Sequence, residues 1–222
     1  MKRPHVKICG NTNDSDAALV GAHADYCGIL VEIGFSERSL TLDQACNVAD
    51  ASGTKNIILL CNPSQELGKQ VADRIKPYAI QLLCQESPEF LHKLESTVSC
   101  QVWKTVHLPE IEGQAPYAEY VDAGADALLV DAADDSEGFL RMGGTGRTTD
   151  WSLARDVVEK VDTPVYLAGG ISPSNVIDAV RSVRPYGIDL CSGVEAEKGT
   201  KDPAKVAALF DSVQSIEQEP AK

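Results

Sequence analysis

The sequence predicts an α/β protein of one domain, a parallel (β/α)8 barrel. Short β-rich runs alternate with helix-period runs along the whole chain, and the alternation repeats eight times in 222 residues. No linker interrupts the series. No Gly-x-Gly-x-x-Gly follows the first β-run, which weighs against an open doubly wound sheet. A strand-helix unit repeated eight times closes naturally into a barrel with helices outside. The barrel domain is expected over residues 1–213, with 214–222 as a polar tail.

The strands are expected at 5–9, 26–32, 56–61, 78–83, 100–106, 126–131, 164–168 and 187–191, where Ile, Val, Leu and Tyr cluster in runs short enough for a buried strand. Between them, 14–23, 41–51, 64–75, 88–95, 114–123, 151–160, 173–182 and 203–213 carry helical periodicity. Most helix starts have a polar residue placed to accept an orphan amide hydrogen bond. These are Asn13 or Asp14, Thr41, Ser64, Ser87 before Pro88, Ser172 before Pro173, and Asp202 before Pro203.

Composition excludes several functions. With 33 acidic and 20 basic residues the formal charge is -13, so neither nucleic acid nor an anionic membrane surface is an expected partner. No apolar run is long enough to span a bilayer and no N-terminal run resembles a signal peptide, so a cytoplasmic location is expected. The seven cysteines include no Cys-x-x-Cys pair and sit in apolar segments. They read as reduced thiols, Cys27, Cys46, Cys61 and Cys100 among them being small core residues. His5, His23, His92 and His107 share no ligand spacing, so no metal is expected.

In a barrel the chemistry lies at the C-terminal ends of the strands. The sixth strand, Ala127-Leu128-Leu129-Val130, delivers Asp131 into a long loop bearing Gly143-Gly144-Thr145-Gly146. Leu129 and Asp131 share a face, so the carboxylate is aimed with its apolar neighbour, but at the open end. The pairing joins a candidate acid to a candidate anion cradle; the bland alternative is a flexible loop with a surface aspartate. The first strand ends in Lys7-Ile8-Cys9-Gly10, where Lys7 and Cys9 share a face. An ammonium there would favour the thiolate and make Cys9 a base or nucleophile; otherwise Cys9 is a buried structural cysteine and Lys7 is paired with a carboxylate. Small-residue turns follow the seventh strand, at Gly169 and Gly170, and the eighth, at Ser192 and Gly193. Backbone amides at these two places commonly bind phosphate.

Lys7-Ile8-Cys9-Gly10, Gly143-Gly144-Thr145-Gly146-Arg147-Thr148-Thr149-Asp150-Trp151, Leu167-Ala168-Gly169-Gly170, and Pro185-Tyr186-Gly187-Ile188-Asp189 with Ser192-Gly193-Val194-Glu195 occur in that order. Together they resemble the phosphoribosylanthranilate isomerase family over nearly the whole chain, as far as Lys201-Asp202-Pro203. The resemblance implies an aldose-ketose isomerase of tryptophan biosynthesis that performs an Amadori rearrangement without cofactor. It implies Asp131 as general acid and Cys9 as general base. Arg38 would meet the anthranilate carboxylate, Lys7, Gln81 and Asp189 would contact substrate, and Gly144, Gly146, Gly169, Gly170, Ser192 and Gly193 would hold the phosphate. A monomer or homodimer fits the polar acidic surface.

The chain departs from the family pattern at the ring-binding end. Leu83 stands in Gln81-Leu82-Leu83-Cys84 where a histidine is usual, Glu37 replaces a proline before Arg38, Thr149 replaces a phenylalanine, and Cys191 stands where serine is frequent. Two alternatives therefore stay open: a paralogue acting on another phosphorylated sugar or amine, and a non-catalytic barrel that binds a phosphorylated ligand.

Overall fold

In the computed structural model, which describes residues 2–134, 141–142 and 149–217, eight parallel strands close into a barrel. They are β1 (His5–Ile8), β2 (Tyr26–Val31), β3 (Lys55–Leu60), β4 (Ala79–Leu82), β5 (Gln101–Leu108), β6 (Ala127–Asp134), β7 (Val165–Leu167) and β8 (Gly187–Leu190). Each pairs with its sequence neighbours, and β1 closes the ring by pairing with both β8 and β2. Helices follow each strand: α1 (Asp14–Gly21), α2 (Leu42–Ser52), α3 (Gln65–Ile75), α4 (Pro88–Glu95), α5 (Tyr117–Asp122), α6 (Trp151–Lys160), α7 (Val176–Val183) and α8 (Pro203–Glu217).

The caps explain where most helices begin. Asn13, Thr41, Ser64 and Ser87 each accept an amide hydrogen bond from the first turn, and at Thr41 the Gln44 side chain returns the bond as a capping box. Each such cap stabilises by roughly 1 kcal/mol. Asp202 likewise accepts from Ala204 and Lys205. Ser172 does not cap. Residues 172–175 form a turn in which the Ser172 N–H donates to Asn175 Oδ1 at 2.8 Å, and α7 starts only at Val176. Helix α5 also starts later than expected, after Pro116.

Two apolar layers form the core. The larger lies between strands and helices; the smaller fills the barrel, with Tyr26, Trp103, Tyr166 and Leu129 among its members. Trp103 stacks on Tyr166 at 4.6 Å between centroids, and Tyr26 meets Trp103 edge-on at 5.4 Å. Gly187 makes room for this stack, since a Cβ there would stand 2.4 Å from the Tyr166 ring. The barrel is therefore plugged by aromatic side chains, and open space is left at the C-terminal rim.

Three expectations need correction. Cys61 and Cys84 form a disulfide rather than two free thiols. Leu60 and Leu82 are register partners on the adjacent strands β3 and β4, and Cys61, one residue past the first, lies near Cys84, two past the second, with Cα atoms 5.0 Å apart. The expected boundary after 213 falls inside α8, which runs on to Glu217 and buries Ile216. Strand β6 also continues past Asp131 to Asp134 and pairs antiparallel with Arg141–Met142, so part of the long loop is a hairpin. Among the described residues no helix is long and apolar enough to cross a membrane.

Candidate active site

A cavity at the C-terminal rim is lined by Cys9, Arg38, Gln81, Asp131, Gly169, Gly170, Asp189 and Ser192, together with an apolar wall of Leu30, Leu59, Leu83 and Leu129. Strands β1, β4, β6, β7 and β8 each bring one or more of these residues to the same space. Gly193 is not on the lining; a Cβ there would meet the Ile171 carbonyl at 2.0 Å, so it packs under the loop after β7. Gly144 and Gly146 lie outside the described residues.

Asp131 is 7% exposed, and its Oδ1 accepts the Ala132 amide at 2.7 Å. Burial pushes its carboxyl up to about 7, with the Ala132 bond pulling the other way. A carboxyl in that range holds a proton near neutrality and can release it, as a general acid must. The loop after β7 presses on it from above. Gly169 has φ +83°, open to glycine but strained for other residues, and Thr149 Oγ1 donates to the Ala168 carbonyl at 2.8 Å just behind it. Thr149, a departure in sequence, thus pins the residues before α6 to the end of β7.

Cys9 continues β1, and its N–H donates to the Leu190 carbonyl at 2.7 Å. Gly28 on β2 leaves space for the thiol, with a hypothetical Cβ 3.0 Å from Sγ. Burial pushes the Cys9 thiol up, against a downward pull from Lys7 and Lys201. This corrects the expectation that Lys7 would make a ready thiolate: desolvation is the larger influence.

Lys7 is fully buried and donates to Asp189 Oδ2 at 2.8 Å, as the register of β1 and β8 places them opposite each other. It does not line the cavity; it is the counter-ion of Asp189, which does. Burial opposes the ammonium, yet Asp189 and its hydrogen bond outweigh that, and the Lys7 pKa is raised. Among the described residues, Asp189 Oδ1 and Gln81 Oε1 are buried without a partner on side chains that line the cavity. Gln81 Nε2 donates to Thr105 Oγ1 at 2.9 Å, which fixes the amide's orientation. Two unsatisfied buried acceptors beside an open cavity suit ligand hydroxyls.

Arg38 is largely buried and paired. Its Nε donates to Glu195 Oε1 at 2.8 Å and Nη2 to Oε2 at 2.6 Å, and its side chain is 12% exposed. Burial works against the Glu195 carboxylate, but Arg38 and Lys201 hold it down at about 2. Gly10, at φ +73°, is needed beneath: a Cβ would stand 2.7 Å from Arg38 Cδ. The sequence reading gave Glu195 and Lys201 no role. Among the described residues no cluster of His, Cys, Asp or Glu is arranged to hold a metal ion.

The arrangement supplies a carboxyl with a raised pKa, a thiol, an arginine and a glycine-rich rim around one cavity. Comparisons with known proteins point to one family. The family model described as N-(5'phosphoribosyl)anthranilate (PRA) isomerase matches residues 6–212. A Methanocella arvoryzae protein named N-(5'-phosphoribosyl)anthranilate isomerase is 38% identical over 214 residues, 94% of this chain and 97% of its own length. The solved phosphoribosyl anthranilate isomerase from Thermus thermophilus superposes with a TM-score of 0.79 at 29% identity, covering 96% of this chain and 99% of that one. A phosphoribosyl anthranilate isomerase solved in complex with reduced 1-(o-carboxyphenylamino)-1-deoxyribulose 5-phosphate superposes at 0.74 with 25% identity, over 96% and 99% of the two chains.

Proposed function

The chain belongs to the N-(5'-phosphoribosyl)anthranilate isomerase family, and from that premise we propose that Asp131 and Cys9 are the acid and base of its reaction. The reaction is the Amadori rearrangement of N-(5-phosphoribosyl)anthranilate to 1-(2-carboxyphenylamino)-1-deoxyribulose 5-phosphate. The observation that carries the residue assignment is that Asp131, Cys9, Arg38 and the loops after β7 and β8 all line one cavity.

Asp131 donates its proton to the ribose ring oxygen, the C1–O bond breaks, and a protonated imine forms at C1. Cys9 then takes the proton from C2, and the electrons of that C–H bond form the C1–C2 double bond of an enolamine. Protonation at C1 and loss of the C2 hydroxyl proton complete the ketone. Each step moves protons, for which two positioned side chains suffice. The raised Asp131 pKa supports the first step. The high thiol pKa is offset when the substrate carries the imine's positive charge, which adds to the pull of Lys7 and Lys201.

Arg38 meets the anthranilate carboxylate, and the wall of Leu30, Leu59, Leu83 and Leu129 receives the ring. Leucine in place of histidine at 83 suits that contact, because an aromatic face needs apolar area rather than a hydrogen bond. This favours the anthranilate substrate over another phosphosugar. Gln81 Oε1 and Asp189 Oδ1, without partners among the described residues, are offered to ribose hydroxyls. Gly169, Gly170 and Ser192 lie at the phosphate end, with Gly193 packed beneath and Gly144 and Gly146 assigned there from the sequence. A small phosphorylated substrate, a cytoplasmic setting and a monomer or homodimer belong to the same reading, supported by the family alone.

The test is turnover of freshly generated N-(5-phosphoribosyl)anthranilate by the purified protein, followed as loss of anthranilate fluorescence. The reading expects turnover with the reduced product analogue as a competitive inhibitor. Absence of both turnover and analogue binding overturns it.

A further inference from the structure

Glu195 is 5% exposed, and its carboxylate is surrounded by donors. Oε1 accepts from Arg38 Nε at 2.8 Å, from Lys201 Nζ and the Gly199 amide at 3.2 Å each, and from Cys191 Sγ at 3.6 Å. Oε2 accepts from Arg38 Nη2 at 2.6 Å. One oxygen thus ties the carboxylate to the hairpin of Glu195–Glu197 and Thr200–Lys201, while both together grip one edge of the guanidinium. Lys201 Nζ also donates to the Cys9 carbonyl at 2.6 Å, so the network that holds Arg38 reaches the segment bearing the thiol.

A guanidinium has five N–H groups in a rigid fork. Glu195 uses Nε–H and one Nη2–H. The end-on fork formed by Nη1 and Nη2 is a second bidentate edge, the geometry that matches a planar carboxylate. Left free, an arginine side chain spreads over many rotamers, and a ligand must order it on binding. Here the β2 loop supplies the arginine and the turn after β8 supplies its anchor, with Gly10 giving the stem room to pass.

We propose that Glu195 is a positioning residue for the isomerisation: it fixes Arg38 by one fork so that the other fork meets the substrate's ring carboxylate. The proposal rests on the assignment of Arg38 to that carboxylate. Glu195 touches no reacting atom, and its effect falls on recognition of the carboxylate rather than on the proton transfers.

The test compares two ligands on the full-length protein. One is reduced 1-(2-carboxyphenylamino)-1-deoxyribulose 5-phosphate; the other is its phenylamino counterpart without the carboxylate. Wild type should prefer the carboxylated ligand by about tenfold or more, and Arg38→Ala should lose the preference. Glu195→Gln should lose most of it as well, while binding the phenylamino ligand within about twofold of wild type and raising KM with little change in kcat. Glu195→Asp keeps the charge on a shorter stem and should recover part of the preference; it carries the same reading if the Gln variant does not fold. Equal weakening of both ligands would make Glu195 merely structural and overturn the proposal. Unchanged or greater preference in Glu195→Gln would do the same, since it would show Glu195 to be irrelevant to Arg38 or its competitor. If wild type shows no preference, or Arg38→Ala retains it, the Arg38 assignment falls and takes the proposal with it.

Discussion

A Cβ on Gly169 would stand 3.0 Å from Asp131 Oδ1 and 2.2 Å from Thr149 Oγ1. The backbone after β7 is therefore in direct contact with the acid, and φ +83° adds strain for any other residue. Gly169→Ala should lower kcat/KM by at least about tenfold and destabilise the fold by about 1–3 kcal/mol. Steady-state kinetics beside urea denaturation would separate the two effects, and a variant as active as wild type would show that this contact is slack.

Asp131 is raised by burial from 3.8 to about 7. The folded protein therefore holds a proton that the unfolded chain releases, and stability is lost as pH rises through the folded pKa. Replacing the carboxyl with an amide removes that loss. Asp131→Asn should be more stable than wild type above about pH 8, by on the order of 2–4 kcal/mol, with the difference vanishing below about pH 4. Denaturation curves across that range check it. The same titration predicts that wild-type kcat/KM declines above about pH 7, as the acid loses its proton.

Lys7 and Asp189 make a buried pair at 2.8 Å. Lys7→Met would strand a buried carboxylate and should destabilise by about 3–5 kcal/mol. Adding Asp189→Asn to it should recover part of the loss, since the stranded charge is then gone. Equilibrium unfolding of the two variants measures the difference, and additive losses would contradict the pairing.

The Cys61–Cys84 disulfide closes a loop with a sequence separation of 23 and joins the ends of two strands whose neighbours Leu59, Gln81 and Leu83 line the cavity. Replacing both cysteines with serine should cost about 3 kcal/mol of stability. Alkylation of the unfolded, unreduced protein followed by mass spectrometry should label five cysteines and leave Cys61 and Cys84 unmodified. Seven labels would mean the bond is absent.

The barrel was legible because its signals are local. Hydrophobic runs fix the strands, and Thr41, Ser64 and Ser87 mark helix starts through bonds to residues three positions on. Asp131 and Cys9 could be placed at the cavity because the barrel rule says which end of a strand to inspect. Apart from helix ends such as Ser172, which turns rather than caps, the misses are tertiary. Cys61 and Cys84 meet only because β3 and β4 are neighbours in a given register. Glu195 meets Arg38 across 157 residues of sequence, which no spacing within either segment discloses. The thiol of Cys9 is pushed up by burial, and burial is a property of the folded rim rather than of Lys7-Ile8-Cys9. Lys7 was rightly paired in the bland reading, but its carboxylate partner, Asp189, lies at the far end of the chain.

The most direct measurement is kcat/KM for N-(5-phosphoribosyl)anthranilate in wild type, Cys9→Ala and Asp131→Asn, each confirmed as folded by circular dichroism. The assignment of acid and base predicts losses of at least 10²–10⁴-fold in each variant, the range expected when a general acid or base is removed, or roughly 3–5 kcal/mol. Turnover within a few-fold of wild type in either variant would contradict it.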